Sequence, residues 1–179
     1  MLFRKAIRTL LLGLTLPVLF SASAYAQGAA PGSDMSNGKA YGAWKVKCDT
    51  PPGSASERCI VVQNVVDDQS PDITLVVSIY KTADGKSQMM RVVAPLGVLL
   101  PSGLGLRIDE TDIGRVGFVR CFTSGCAAEV RIEDGLLDQL KNGKTAMFIV
   151  FKTPEQGVGV PIVLDGFSAA YDNLPNVAQ

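Results

Sequence analysis

Histidine is absent from this 179-residue chain. Without it no serine–histidine or cysteine–histidine couple can form, which removes the commonest nucleophilic hydrolase mechanisms. Zinc sites of the usual kind lose a principal ligand as well. A basic excess is also missing, since 17 Lys and Arg stand against 17 Asp and Glu. Three of those cations, Arg4, Lys5 and Arg8, lie in the first 26 residues, where there is no acid. Residues 27–179 therefore carry 14 cations against 17 anions, a net charge of −3. Nucleic acid, which demands a basic stripe, is not an expected partner. Simple electrostatic docking on anionic lipid is disfavoured for the same reason.

Long apolar runs are scarce too. The one candidate, residues 10–20, follows the Arg4, Lys5 and Arg8 cluster and is short for a bilayer span. Ala24-Tyr25-Ala26 comes next, a small-x-small site with cleavage expected before Gln27. Residues 1–26 thus read as a signal peptide. No cysteine sits just after the cleavage point, which sets aside a lipid-anchored lipoprotein, and no transmembrane segment is expected in the mature chain. Removing 26 of 179 residues leaves 153, one ordinary domain able to bury around two thirds of its unfolded surface.

Four cysteines are present: Cys48, Cys59, Cys121 and Cys126. In an oxidising compartment such thiols persist as disulfides. Of the three connectivities that four cysteines allow, the two local pairs, Cys48–Cys59 and Cys121–Cys126, are favoured. Each brackets a turn-like stretch, Thr50-Pro51-Pro52-Gly53-Ser54 in one case and Thr123-Ser124-Gly125 in the other. A thioredoxin-type redox motif needs a two-residue spacer at a helix start, which Cys121 and Cys126 lack.

Residues 27–40 show no periodicity and read as a flexible leader, with ordered structure expected from Tyr41. Period-two patterning follows. Trp44, Val46 and Cys48 share a face; Ile73, Leu75, Val77 and Ile79 alternate with Thr74, Val76, Ser78 and Tyr80; Leu104, Leu106 and Ile108 form another set, and Ala128, Val130 and Ile132 a fourth. Residues 59–66 and 145–151 are apolar on both faces, as buried central strands would be. Residues 158–164 contain Pro161, which argues for an edge position. One short helix is expected, capped by Asp134, striped by Leu136, Leu137 and Leu140, and stopped at Gly143. A final turn is placed around residues 167–171. The result is a mostly β chain of roughly eight to ten strands, a sandwich with one short helix and two local disulfides.

Several segments, taken in order, resemble the invasion-associated locus B (IalB) family. They are Tyr41-Gly42-Ala43-Trp44 leading to Cys48 and Cys59, and Pro95-Leu96-Gly97-Val98-Leu99-Leu100-Pro101-Ser102-Gly103 followed by Leu106-Arg107-Ile108-Asp109. Cys121-Phe122-Thr123-Ser124-Gly125-Cys126-Ala127-Ala128, Lys141-Asn142-Gly143 and Gly166-Phe167-Ser168-Ala169-Ala170 complete the set. The resemblance spans residues 41–174, leaving 175–179 as a tail. It implies an immunoglobulin-like β-sandwich in the periplasm or on the outer surface, and a link to entry into host cells. It implies no established catalytic residue, cofactor or molecular partner, and no metal site is expected from the residues themselves.

The apolar segment 95–103 has two readings, a docking loop for a partner or a strand and turn packed into the core. The second is expected, because most apolar runs are buried. Asp67-Asp68 and Asp109-Glu110-Thr111-Asp112 are the dense acidic clusters, read as solvated turns without calcium-loop spacing. Trp44 could stack on a ligand, but its alternation makes it a core residue beside a disulfide. The expected function is a non-enzymatic binding module with a protein partner in the envelope or on a host cell. It would be periplasmic, outer-membrane-associated or secreted. A periplasmic factor supporting envelope integrity is the alternative, and a carboxylate-based hydrolase ranks third.

Overall fold

The computed structural model describes residues 38–175 except 55, 68 and 69. The expected signal peptide, leader residues 27–37 and tail residues 176–179 lie outside the described residues. Two antiparallel sheets stack on each other. The larger contains β1 (Lys39–Tyr41), β2 (Trp44–Asp49), β3 (Arg58–Asp67), β4 (Ser70–Lys81), β5 (Gln88–Ala94), β9 (Gly125–Ile132) and β8 (Phe118–Phe122), in that spatial order. The smaller runs β11 (Gly157–Val163), β10 (Thr145–Phe151), β6 (Leu104–Ile108) and β7 (Thr111–Val116). Helix α1 (Asp134–Asn142) links β9 to β10, and α2 (Phe167–Asp172) follows β11.

Strand alternation places the core. Ile73, Leu75, Val77 and Ile79 of β4 turn inward at 2% exposure or less, and Ala146, Phe148 and Val150 of β10 meet them from the other sheet. Burying each such branched or aromatic side chain contributes about 1.5–3 kcal/mol. Pro161 sits in β11, an edge strand, as its missing donor requires.

Some expectations need correction. Ordered pairing starts two residues before Tyr41, because Lys39 and Ala40 pair with Val46 and Lys45 and are held by that ladder rather than by their own composition. There are two helices among the described residues, not one: the stretch expected to be a turn is α2, stabilised by packing on Trp44. Glu133, not Asp134, occupies the cap position of α1, and no side-chain cap bond forms. Asp134 instead lies in the first turn, where a carboxylate favours the helix dipole. Strand β3 is not apolar on both faces, since Gln63 is buried, Asn64 is exposed and Val66 is 56% exposed.

The start and finish of the domain meet at one lock. Trp44 Nε1 donates to the Val163 carbonyl at 2.9 Å. Gln63 Nε2 donates to the same oxygen at 3.0 Å and to the Ala43 carbonyl at 3.3 Å. Phe167 meets the Trp44 ring edge-on, with centroids 5.1 Å apart, and Tyr171 backs Phe167 at 5.9 Å. So Trp44 is a core residue, but its aromatic partner is Phe167, while Cys48 is exposed further along β2. Backbones touch here as well. Gly166 adopts φ 81°, and a Cβ on it would collide with the Tyr41 carbonyl oxygen.

Phe167→Ala is expected to cost about 3–5 kcal/mol by leaving a cavity against Trp44. Gly166→Ala should also destabilise, through both its clash and its positive φ. Urea unfolding of the two variants beside the parent chain measures both losses.

Candidate functional site

Both disulfides pair the cysteines expected, Cys48 with Cys59 and Cys121 with Cys126. Each joins residues directly opposite in a hairpin ladder, with Cα atoms 4.0 and 3.9 Å apart. Cys48–Cys59 pins β2 to β3 at one end of the larger sheet, and Cys121–Cys126 pins β8 to β9 at the other. Among the described residues one group of three metal-type ligand atoms comes together, Cys48, Glu57 and Cys59. Its two sulfurs are bonded to each other, so the oxidised protein offers no thiolate there.

The acidic turn between β6 and β7 is more than a solvated turn. Asp109 takes up φ 49°, a left-handed conformation that a short polar side chain tolerates. Its carboxylate accepts hydrogen bonds from the Thr145 N–H at 3.0 Å and the Lys144 N–H at 3.1 Å, tying this turn to the start of β10. Those bonds, that from Thr145 foremost, hold the Asp109 pKa below its ordinary value. Asp112 Oδ1 accepts from the Gly114 N–H at 3.0 Å. The recess beside Asp109 is lined by Ile108, Asp109, Thr111, Gln139, Asn142 and Gly143, with one carboxylate and no second acid to share a proton. Of the pair Asp67-Asp68, Asp68 lies outside the described residues.

A second recess opens between the sheets where β7 faces β9. It holds about 90 Å³, and Met90, Val92, Leu106, Val130, Leu136 and Phe148 are among its walls. Dry cavities of about 150 Å³ accept benzene, so this slot is small for a ring-sized ligand. The one charged residue on its wall is Arg115, whose guanidinium stacks on Phe151 at 4.6 Å.

The third feature is an apolar end. Strands β5 and β8 finish, and β6, β9 and β11 begin, at the same end of the sandwich: Ala94 pairs with Cys126, Phe122 with Gly125, and Phe151 with Gly157. Segment 95–103 crosses there from one sheet to the other. It is a turn through Gly97 at φ 89° and a single helical turn, Leu100–Ser102, not the strand expected. Leu99 N–H donates to the Phe151 carbonyl at 2.7 Å and fixes the crossing. That anchoring turns the neighbours outward, leaving Leu96 56% and Leu100 43% exposed, while Val98 packs partly on the core. The β8–β9 hairpin lies alongside: a Cβ on Gly125 would strike the Ala94 carbonyl oxygen. Phe122, next to the disulfide, is 44% exposed beneath the Arg120 guanidinium at 4.7 Å. Val119 of β8 and Val66 near the end of β3 are exposed in the same half. Sequence reasoning singled out 95–103 but not Phe122, Val119 or Val66. The only available signal was that Phe122 adjoins a cysteine within a tight hairpin.

These features define a class, the disulfide-stapled two-sheet β-sandwich. The chain belongs to the invasion associated locus B (IalB) protein family, whose model matches residues 44–175. An invasion protein B homolog of Brucella abortus strain 2308 is 29% identical over 171 residues, covering 95% of this chain and 96% of that protein. The homolog from Brucella abortus biovar 1 strain 9-941 matches to the same extent. The crystal structure of invasion associated protein B from Bartonella henselae shares the fold, with a TM-score of 0.64 at 24% identity over 77% of this chain and 95% of that one.

Asp109 carries a pH prediction. Its pKa is depressed in the folded state, so its contribution is complete above the unfolded value near 3.8 and is lost as pH falls through the lower folded value. The melting-temperature gap between the parent chain and Asp109→Asn should therefore be full at neutral pH and close in strong acid. A gap that widens on acidification would refute this role. For the staples, Cys48→Ser with Cys59→Ser is expected to cost about 2–3 kcal/mol. The Cys121→Ser with Cys126→Ser pair should cost somewhat less, because it closes a separation of 5 residues rather than 11. Urea midpoints of both double variants test that order.

Proposed function

We propose that the chain is exported, loses residues 1–26 and works outside the cytoplasm as a non-catalytic binding module. Its partner is displayed in the bacterial envelope or on a host cell. The observation that carries this reading is the apolar end. Single exposed apolar side chains are ordinary, but Leu96, Leu100 and Phe122 share one end of the sandwich, and apolar side chains gathered on one side of a domain mark contact surfaces. Two disulfides support an oxidising compartment. No helix of the described residues is long and apolar enough to cross a membrane. The names of the relatives speak of invasion, which favours a host-facing partner over one confined to the periplasm.

The test has two arms. Intact mass of the protein recovered from exporting cells should correspond to a chain beginning at Gln27, and external protease should reach it in intact cells. Photo-crosslinking from position 96 or 122 should then capture an envelope or host-membrane component. Retention of Met1 would defeat the export reading. Protection from protease would favour a periplasmic envelope factor instead, and absence of any crosslink from either position would defeat the binding reading.

A further inference from the structure

The geometry points to a redox-gated metal site: once the Cys48–Cys59 bridge is reduced, its two thiolates and the Glu57 carboxylate bind a divalent cation of the zinc class. The two sulfurs and a Glu57 carboxylate oxygen lie within 4.8 Å of one another, and no other such group occurs among the described residues. Strand geometry puts them there. Glu57 and Cys59 are two residues apart, on one side of an extended chain, and Cys48 stands directly opposite Cys59 in the β2–β3 ladder. Asp49 and Arg58 face each other one position along, so the Arg58 charge is turned away from the three ligands. Glu57 makes no ion pair among the described residues, which leaves its carboxylate free for a cation.

The hairpin keeps this arrangement without the bridge. Its ladder continues from Asp49–Arg58 to Lys45–Val62, and β3 is paired along its other edge with β4. The connecting turn has bonds of its own. The Ser54 N–H donates to the Pro51 carbonyl at 2.9 Å, and Ser54 Oγ donates to the Ser56 carbonyl at 2.9 Å. Reduction therefore severs the sulfurs but not the strands, and the two Cα atoms stay opposite, 4.0 Å apart in the bridged state. A tetrahedral ion with each sulfur at about 2.3 Å needs the sulfurs about 3.8 Å apart, which side-chain rotation supplies.

Access and chemistry set the reaction. Cys48 and Glu57 are exposed and Cys59 is half-buried, whereas Cys126 of the other bridge is 3% exposed and has no carboxylate grouped with it. A dithiol reductant attacks one sulfur of the bridge as its thiolate and forms a mixed disulfide. Its second thiol then displaces the chain and leaves the reductant as its own disulfide. Cys48 and Cys59 together gain two electrons and two protons, and the incoming cation releases both protons. Two thiolates with one carboxylate suit zinc, while calcium and magnesium take oxygen ligands. Three protein ligands leave a fourth position for water or for a donor from outside the chain. Bridge and metal use the same sulfurs, so each state excludes the other.

The measurement is cobalt(II) titration of the exported protein, oxidised and after reduction with a phosphine, read by sulfur-to-cobalt charge-transfer absorption. Far-UV circular dichroism follows the strands throughout. The reduced parent should bind equimolar cobalt, and zinc(II) should abolish the absorption. The oxidised parent should show none. A phosphine opens both bridges, so reduced Cys48→Ser with Cys59→Ser reports what Cys121 and Cys126 bind alone, and it too should show none. Glu57→Gln should weaken binding by at least the roughly tenfold typical of an outer-shell partner, with the strand signal unchanged. Absence of the absorption in the reduced parent would overturn the inference. So would equal absorption in the oxidised parent or the double variant, unchanged affinity in Glu57→Gln, or loss of the strand signal on reduction before metal is added.

Discussion

The structure depends on what happens at a single carbonyl, that of Val163. It belongs to β11, an edge strand of the smaller sheet, and an edge presents backbone groups with no ladder partner. Trp44 and Gln63 reach across from the larger sheet and both donate to it. The bonds do two things at once. They satisfy a polar group that would otherwise be costly to bury, and they set the distance between the sheets on that side. They also settle the orientation of the Gln63 amide, because its nitrogen lies between two carbonyl oxygens. Phe167 then closes over Trp44 and brings the last helix down on the first hairpin. Gly42 and Gly166 permit this, since backbone meets backbone where a side chain has no room.

The same attention to edges recurs around the molecule. Strand β1 is three residues long. Strand β8 has an irregular register between Phe118 and Arg120 and exposes an arginine. Strand β7 is offset beside Leu106 and Arg107, with Gly114 in a positive-φ conformation. Strand β11 contains Pro161 and has the Val163 carbonyl taken. Shortness, bulges, charge and proline are the devices by which open sheets avoid pairing with other chains. The sandwich edges therefore discourage association, which makes the unprotected apolar end more informative. A fold that blunts four edges and leaves Leu96, Leu100 and Phe122 in solvent has treated those two kinds of surface differently.

How far this could be read beforehand varied with how local the cause was. Strand β4 was plain in the sequence because Ile73, Leu75, Val77 and Ile79 face the core while the residues between them do not, and the period of two survives intact. Pro161 announced an edge through a property of its own ring. The two disulfides followed from short separations. The misses have non-local causes. Strand β1 has no β-like composition and exists because β2 offers a ladder. Helix α2 is six residues, far below the length at which propensity alone sustains a helix, and it forms because Trp44 gives Phe167 a place to pack. Asp109 looked like one acid among several, and its role comes from backbone N–H groups 35 and 36 positions away. Exposure at the apolar end was hidden most deeply. Hydrophobicity argues for burial, and only the Leu99–Phe151 bond reveals that the neighbours are turned outward.

The motifs that mark the family divide along the same line. Tyr41-Gly42-Ala43-Trp44 and Gly166-Phe167-Ser168-Ala169-Ala170 are far apart in the chain yet form the two halves of one lock, so their character is explained by packing. Leu106-Arg107-Ile108-Asp109 is explained by the Asp109 tie to β10. Segment 95–103 and the Cys121–Cys126 hairpin are not exhausted in this way. Their glycines, prolines and disulfide account for how the loops are held, but burial does not account for Leu96, Leu100 or Phe122, which the fold could replace by polar residues at little cost. Side chains that stability does not require, presented on loops that stability has made rigid, are what the proposed binding role rests on.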